Sequence, residues 1–285
     1  MPACYFCKVK FIIRFVDLFL YTSLFTACCA TGLCMATERL ITAASPPLIS
    51  HLHILVLGST MLVYNTPRII RRPDGDHPHS LQYRKWYFFF FTAGMVLTAV
   101  GLYRQPLQLQ LSSVGLGVFA FAYFLPLLPF GNKKRLRDFG WLKITVLAGV
   151  WTMATSVLPM LYWHKNIGDY PFEILVRLVF IFTLCVIFDI RDMQADMADN
   201  INTLPQKVGI RNSYRLINIT LVLLVVLSLI QYARYQLAER FAGALLTVVI
   251  TWLVVGYLRK RPSERAYLLL ADGVMLLYAI LVLVR

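Results

Sequence analysis

The sequence predicts an all-α bundle of nine membrane-spanning helices. Three observations carry that prediction. Hydrophobic residues make up 59% of the 285-residue chain and charged residues only 15%, well above the apolar share of an ordinary soluble domain. The apolar residues gather into nine runs, each close to the roughly 20 residues that cross a hydrocarbon core about 30 Å thick. These runs are continuously apolar, with no alternation of period two, so they read as helices and not as barrel strands. The length would accommodate two soluble domains, but no polar segment is long enough to hold one, and residues 1–285 read as one transmembrane domain.

The first span, Phe11–Cys34, carries Arg14 and Asp17, three apart and able to meet on one helical face. It is too long for the apolar region of a signal peptide and is read as a retained helix. The second, Pro47–Tyr64, begins beside His51 and His53 and gives way to the polar stretch "PRIIRRPDGDHPHSLQYRK". Trp86–Tyr103 and Leu109–Pro129 are the third and fourth, followed by "GNKKRLRDFG". The fifth, Trp141–Trp163, ends at His164; these three histidines suit an interfacial position. The sixth, Pro171–Phe188, has Glu173 and Arg177 four apart near its start, a spacing that allows pairing and snorkelling to the interface. Tyr214–Tyr232, Leu237–Leu258 and Ala266–Val284 complete the set, with "RKRPSER" before the last. Helices two to nine show no acid at mid-span, which weighs against an ion-coupled transporter built around a mid-membrane site.

The net charge of +14 would suggest nucleic acid in a soluble protein. Here the distribution gives another answer, and no nucleic-acid partner is expected. Of the 28 Lys and Arg residues, 21 fall on the N-terminal tail and around the loops after even-numbered spans, against six on the other side. That asymmetry places the N-terminus and the even loops in the cytoplasm. The six cysteines form no framework. Cys4 and Cys7 make a lone C-x-x-C without a second pair of zinc ligands, and Cys28, Cys29, Cys34 and Cys185 lie in apolar runs as packing residues.

Four of the fourteen acidic residues crowd into one stretch after the sixth span, Asp189, Asp192, Asp196 and Asp199 in "FDIRDMQADMADNINTLPQKVG". Spacings of three, four and three put their carboxylates within roughly 80° of arc on one helical face. Like charges at this spacing repel, and a helix C-terminus disfavours anions. A cation resolves the conflict: aspartate oxygens suit Mg²⁺, which takes one or two carboxylates and completes its shell with water and phosphate. The alternative is a solvated acidic face neutralised by Arg191, Lys207 and Arg211.

"DIRDMQADMADNINTLPQKVG" resembles the second aspartate-rich motif of the UbiA superfamily of intramembrane prenyltransferases. In that family the motif follows helix six of a nine-helix bundle, and a Thr-Leu-Pro stands at a fixed distance beyond it. Asp189, Asp192 and Asp196 fall on the acidic positions, Thr203-Leu204-Pro205 on the tripeptide, Lys207 and Gly209 on the basic residue and glycine, and Asn200 replaces a common glycine. The resemblance implies a Mg²⁺-dependent transfer of an isoprenyl group from an isoprenyl diphosphate to a lipophilic, often aromatic, acceptor within the membrane. It implies Asp192 and Asp196 as metal ligands, Asp189 in support, and a polyprenyl tail lying among the helices.

The family's first motif, N-x-x-x-D-x-x-x-D after helix two, is degenerate. Asn65 is present, but Ile69 and Pro73 stand at the acidic positions, and Asp74 and Asp76 are out of register. Arg68, Arg71 and Arg72 stand there instead. Guanidinium groups can grip phosphate directly, which would make Asn65, Arg68, Arg72 and Lys207 the diphosphate-binding set. The same arginines are equally explained by topology. His77 and His79 with Asp74 and Asp76 are a further possible ligand set, though a solvated loop explains them as well. Beside the enzyme stands a non-catalytic member of the fold that binds lipid or a protein partner.

Overall fold

The computed structural model describes residues 14–42, 44–70, 83–125, 140–198, 201–235 and 238–284. Nine long helices are present among them. They are α1 (Leu24–Thr42), α2 (His51–Ile70), α3 (Arg84–Tyr103), α4 (Leu107–Phe124), α5 (141–162), α6 (Pro171–Ala198), α7 (Ile210–Tyr235), α8 (Ala238–Lys260) and α9 (264–283). No strand occurs among the described residues. Eight of the nine are long and apolar enough to cross a membrane; α2, with two histidines and Arg68, is not among the eight.

The bundle is inverted relative to a soluble one. Large apolar side chains such as Phe88, Val118, Ile219, Val249 and Trp252 are exposed on the outer helices, while Asp17, Glu38, Asn65, Lys143, Arg177 and Asp272 are buried. Hydrocarbon solvates the first set, and the second must be paired inside. α1 and α6 are mostly buried, whereas α3 and α4 are mostly exposed. α5 to α9 pack in succession, α9 returns against α1, and α1 packs on α2, which touches α4 and so closes a ring through α5.

Four spans differ most from the sequence expectation. The first span is displaced: residues 14–21 form a separate helical run, the chain breaks at Thr22–Ser23, where Ser23 has φ 59°, and α1 then continues to Thr42. Glu38, four residues beyond the expected end of that span at Cys34, is buried against His53, with Nε2 to Oε2 at 2.7 Å. His53 is therefore interior and not interfacial. α2 begins at His51, four residues later than expected, and extends to Ile70. α4 ends at Phe124, short of Pro129. α6 runs ten residues past Phe188, so the aspartates at 189, 192 and 196 ride on the helix itself and not beyond its end.

α2 and α3 pair the most closely. A Cβ at Gly58 would stand 2.7 Å from the Thr98 nitrogen, one at Gly94 2.8 Å from the Gly58 oxygen, and one at Gly101 2.6 Å from the Leu55 nitrogen. Glycines that let backbones touch are a recurring way to join helices in lipid, where no hydrophobic effect drives them together.

α5 carries a π-bulge over Met153–Val157. Pro159, just beyond it, has no N–H to give the Thr155 carbonyl four residues back. Thr37 on α1 supplies the missing donor, its Oγ1 lying 2.7 Å from that oxygen. The same hydroxyl accepts from Arg177 Nη2 at 3.0 Å. Arg177 pairs with Glu173 at 3.1 Å and lies 5.2 Å from the Tyr278 ring centre. The expected i,i+4 pair is thus present, but fully buried and not snorkelling.

Candidate functional site

The alternating helices bring the N-terminal ends of α5, α7 and α9 and the C-terminal ends of α2 and α6 to one end of the bundle. Contacts that cross between them fix this mouth. Lys143 of α5 meets Asp189 and Asp196 of α6. Thr26 of α1 donates to Asp272 of α9 at 2.8 Å. Asn65 of α2 donates to the Thr22 carbonyl at 2.9 Å, taking up an acceptor at the break before α1.

Asp189, Asp192 and Asp196 share one face of α6, as their spacing predicts. Their repulsion is relieved by cations of the chain. Lys143 Nζ lies 2.8 Å from Asp189 Oδ1 and 2.6 Å from Asp196 Oδ2, and its side chain is one-tenth exposed. Asp189 Oδ2 is buried without a partner. Asp192 receives both Nε and Nη2 of its neighbour Arg191, at 2.6 and 2.9 Å, in the two-pronged geometry that suits guanidinium and carboxylate. Its side chain is 36% exposed, the most open of the three acids.

The chain after α6 is pinned beneath these acids. Ile201 N–H donates to the Asp196 carbonyl at 2.8 Å, and Gln206 Nε2 to that of Met193 at 3.2 Å. Thr203 is buried at the start of a short helix, Leu204–Val208, whose first turn holds Pro205. Gly140, with φ 57°, approaches so closely that a Cβ there would overlap the Asn202 carbonyl oxygen. The Thr-Leu-Pro element therefore sets the height of the acidic turn against the entry to α5.

Two arginines sense one another at this mouth. Arg68 of α2 is half-buried, stacks 5.4 Å from the Tyr87 ring centre, and has a buried Nη1 with no partner. Arg191 lies 4.8 Å from the Phe188 ring centre and within electrostatic reach of Arg68. Glu264 and Asp272 are the acids within electrostatic reach of both, besides the Asp192 that Arg191 holds directly. A buried guanidinium nitrogen with no acceptor is costly, and it is the kind of donor that phosphate oxygens satisfy. Beside Arg68, Tyr64 accepts from Trp151 Nε1 at 2.8 Å.

The residues expected from sequence are therefore distributed unevenly. Asp189, Asp192, Asp196 and Arg68 lie at one mouth. Asn65 is fully buried, its amide also donating to the Met61 carbonyl at 2.8 Å, so it braces the helix break. Lys207 is exposed, near Gly140 at the rim. Arg71, Arg72, Asp74, Asp76, His77, His79, Asp199, Asn200, Cys4 and Cys7 lie outside the described residues. Asp17 meets Arg265 at 2.8 Å, a partner 248 positions away in place of the expected Arg14.

Two residues of the mouth escaped the sequence expectation, Lys143 and Asp272. Asp272 corrects the view that the later spans lack an interior acid. The available signal was the rule that an ionisable residue inside an apolar run has a partner or a task. Lys143 stands in the first turn of an apolar helix, and Asp272 within the last one.

Among the described residues one trio of ligand-type side chains brings its donor atoms within 4.8 Å of one another, Cys34, Glu38 and His53, all buried. It lies at the opposite end of the bundle. The Ser50 N–H donates to His53 Nδ1 at 3.2 Å, so Nε2 carries the proton and donates to Glu38. A metal on Nε2 needs the other tautomer, with Nδ1–H donating outward. The trio is accounted for as a buried hydrogen-bonded cluster.

No protein-family model matches the chain, and no curated protein matches it by sequence. Solved structures do. A UbiA homologue from Archaeoglobus fulgidus, bound to Cd²⁺, superposes with a TM-score of 0.61 at 11% identity, over 94% of this chain and 100% of that one. The structure of a UbiA homologue from the same organism bound to GPP and Mg²⁺ gives 0.58 at 11%, over 95% and 99%. A structure from work on digeranylgeranylglyceryl phosphate synthase in membranes gives 0.53 at 14%, over 96% and 99%. The chain has the fold of these structures along almost its whole length.

Proposed function

We propose that this chain, which has the fold of the UbiA homologues, is a divergent UbiA-superfamily prenyltransferase. It transfers an isoprenyl group from an isoprenyl diphosphate to a lipophilic acceptor in the membrane, residues 1–285 forming the single transmembrane domain. The observation that carries this reading is the mouth itself: three acids of α6 on one face, beside the buried, unpartnered guanidinium nitrogen of Arg68. One fold hosts many chemistries, so the reading rests on these residues. The bound GPP and Mg²⁺ of one similar structure support the substrate class and the metal.

The donor set fits a magnesium ion that arrives with a diphosphate. Asp192 stands partly open, Asp196 is one turn away, and Asp189 Oδ2 has no partner; one or two carboxylates plus phosphate oxygens are the usual shell. When bound, the ion would supply neutralisation of the charge growing on the departing diphosphate. The chain's own part is to hold and orient. Arg68 and Arg191 grip phosphate oxygens, with Glu264 and Asp272 as the acids within reach of both. The allylic C–O bond breaks, its electron pair leaves with the diphosphate, and the acceptor forms the new bond to carbon. An aromatic acceptor then loses a proton. Tyr64, one turn before Arg68 on α2, and Trp151, edge-to-face with it at 6.3 Å, offer π faces that would favour a passing carbocation.

A second reading, a lipid-binding member without transferase activity, is favoured by one feature: Ile69 replaces an acid of the first motif. Turnover separates the two. Purified full-length chain in nanodiscs is given isoprenyl diphosphates of several lengths, Mg²⁺ and a pool of lipophilic acceptors, and diphosphate release is measured. Release that falls by about a hundredfold in Asp192→Asn and Arg68→Ala supports the enzyme. Binding of these diphosphates without any release supports the second reading, and no binding under any condition refutes both.

A further inference from the structure

The aspartate half-site already contains a cation. Lys143 Nζ sits between Asp189 and Asp196 at 2.8 and 2.6 Å, with the lysine one-tenth exposed and both acids less than one-tenth exposed. An ammonium in that position does for two carboxylates what a divalent ion does: it relieves their repulsion and takes up an oxygen from each. The third acid, Asp192, is matched by Arg191. Across the mouth the first motif has lost its acids, with Ile69 in place of one and Arg68 beside it. Every change points the same way, toward fixed positive charge of the chain where carboxylates and metal would otherwise stand.

We infer that Lys143 is a resident counter-ion that takes the place of a divalent cation between Asp189 and Asp196. The mouth then binds the diphosphate of its substrate through the chain's own cations, Lys143, Arg68 and Arg191, without needing magnesium; the magnesium needed for turnover would use Asp192 and the carboxylate oxygens that Lys143 leaves free. This rests on the proposed prenyltransferase reading for the identity of the ligand. The occupancy of the acid pair by Lys143 stands apart from it.

The geometry makes two separable demands. The first concerns the metal alone. Without any diphosphate, wild-type chain should bind Mn²⁺ only weakly, because the lysine holds the carboxylate oxygens that would ligate it. Lys143→Gln removes the ammonium and leaves the acids free, so its Mn²⁺ affinity should rise by about tenfold or more, while the charge-conserving Lys143→Arg should behave as wild type. Mn²⁺ bound to purified full-length chain is read from the loss of the free-ion electron paramagnetic resonance signal, with Mg²⁺ as competitor. The second demand concerns the ligand: geranyl diphosphate should bind wild type with affinities that differ by less than about threefold between EDTA and Mg²⁺.

The wild-type titration does not depend on any variant folding. Weak Mn²⁺ binding by wild type that tightens in Lys143→Gln supports the inference; tight binding by wild type, equal to that of Lys143→Gln, overturns it. Loss of geranyl diphosphate binding by about a hundredfold in EDTA also overturns it. Absence of geranyl diphosphate binding with and without Mg²⁺ refutes the prenyltransferase reading and the diphosphate part of the inference together, while the Mn²⁺ comparison still decides the role of Lys143.

Discussion

Arg177→Met tests whether the end of the bundle opposite the mouth is held by a buried charge pair. Arg177 is 2% exposed and Glu173 3% exposed. The arginine donates to Glu173 at 3.1 Å and to Thr37 at 3.0 Å, and it stacks on Tyr278. Breaking a buried pair from one side costs about 3–5 kcal/mol, chiefly because the remaining charge is stranded. Glu173 keeps a donor in Gln231, at 3.2 Å, and that hydrogen bond puts the expected loss near the lower end, about 3 kcal/mol. Removing both charges, as Arg177→Met with Glu173→Gln, should recover about 2 kcal/mol of it, since neutral residues of similar volume leave nothing stranded. The assay is a double-mutant cycle on chemical unfolding of the protein in mixed micelles. A single variant within about 0.5 kcal/mol of wild type, or a double variant whose cost is the sum of the two singles, would refute the claim that this pair is dry and coupled.

Other expectations follow from equally local features. Gly94→Leu should unfold or severely destabilise the protein, by about 3 kcal/mol or more, because its Cβ would meet the backbone of α2; Gly117→Ala, with nothing within 4 Å, should leave thermal stability unchanged. Thr37→Val removes the donor to the Thr155 carbonyl beside the π-bulge, and unfolding should show a loss of about 1–3 kcal/mol. Asp17→Asn removes a pair whose arginine is 53% exposed, so unfolding should register less than about 1 kcal/mol. Arg191→Lys keeps the charge but loses the two-pronged grip on Asp192, and diphosphate release should fall by about tenfold.

The spans were legible because lipid enforces a length and a composition that single residues seldom disguise. Pro171–Ala198 shows the limit: its apolar part ends near Phe188, but the backbone stays helical for ten more residues because Lys143 offsets the acids. That partner lies 46 and 53 positions away, and no local pattern announces it. A lysine in the first turn of a span also satisfies the charge rule for loops, which hides a second task. The acids of α6 were visible through their spacing on one face. Asn65 was visible as a residue type, yet its work, bracing the break at Thr22, depends on a fold in sequence-distant segments. His53 mimicked an interfacial position, and only its meeting with Glu38 at 2.7 Å shows it to be interior.

The glycine seam between α2 and α3 bears on how the mouth keeps its shape. With Gly58, Gly94 and Gly101 bringing two backbones into contact at three successive levels, α2 can neither slide nor rotate against its neighbour without collision. Arg68 lies ten residues beyond Gly58 on that same helix, and its stacking partner Tyr87 lies on α3. The seam thus works as a gauge block: it sets the depth at which the guanidinium meets an incoming anion. The spacing across the mouth is then held by a rigid pair of helices far from any charge, so a methyl group added on the outer wall would detune the site as surely as a substitution among its acids.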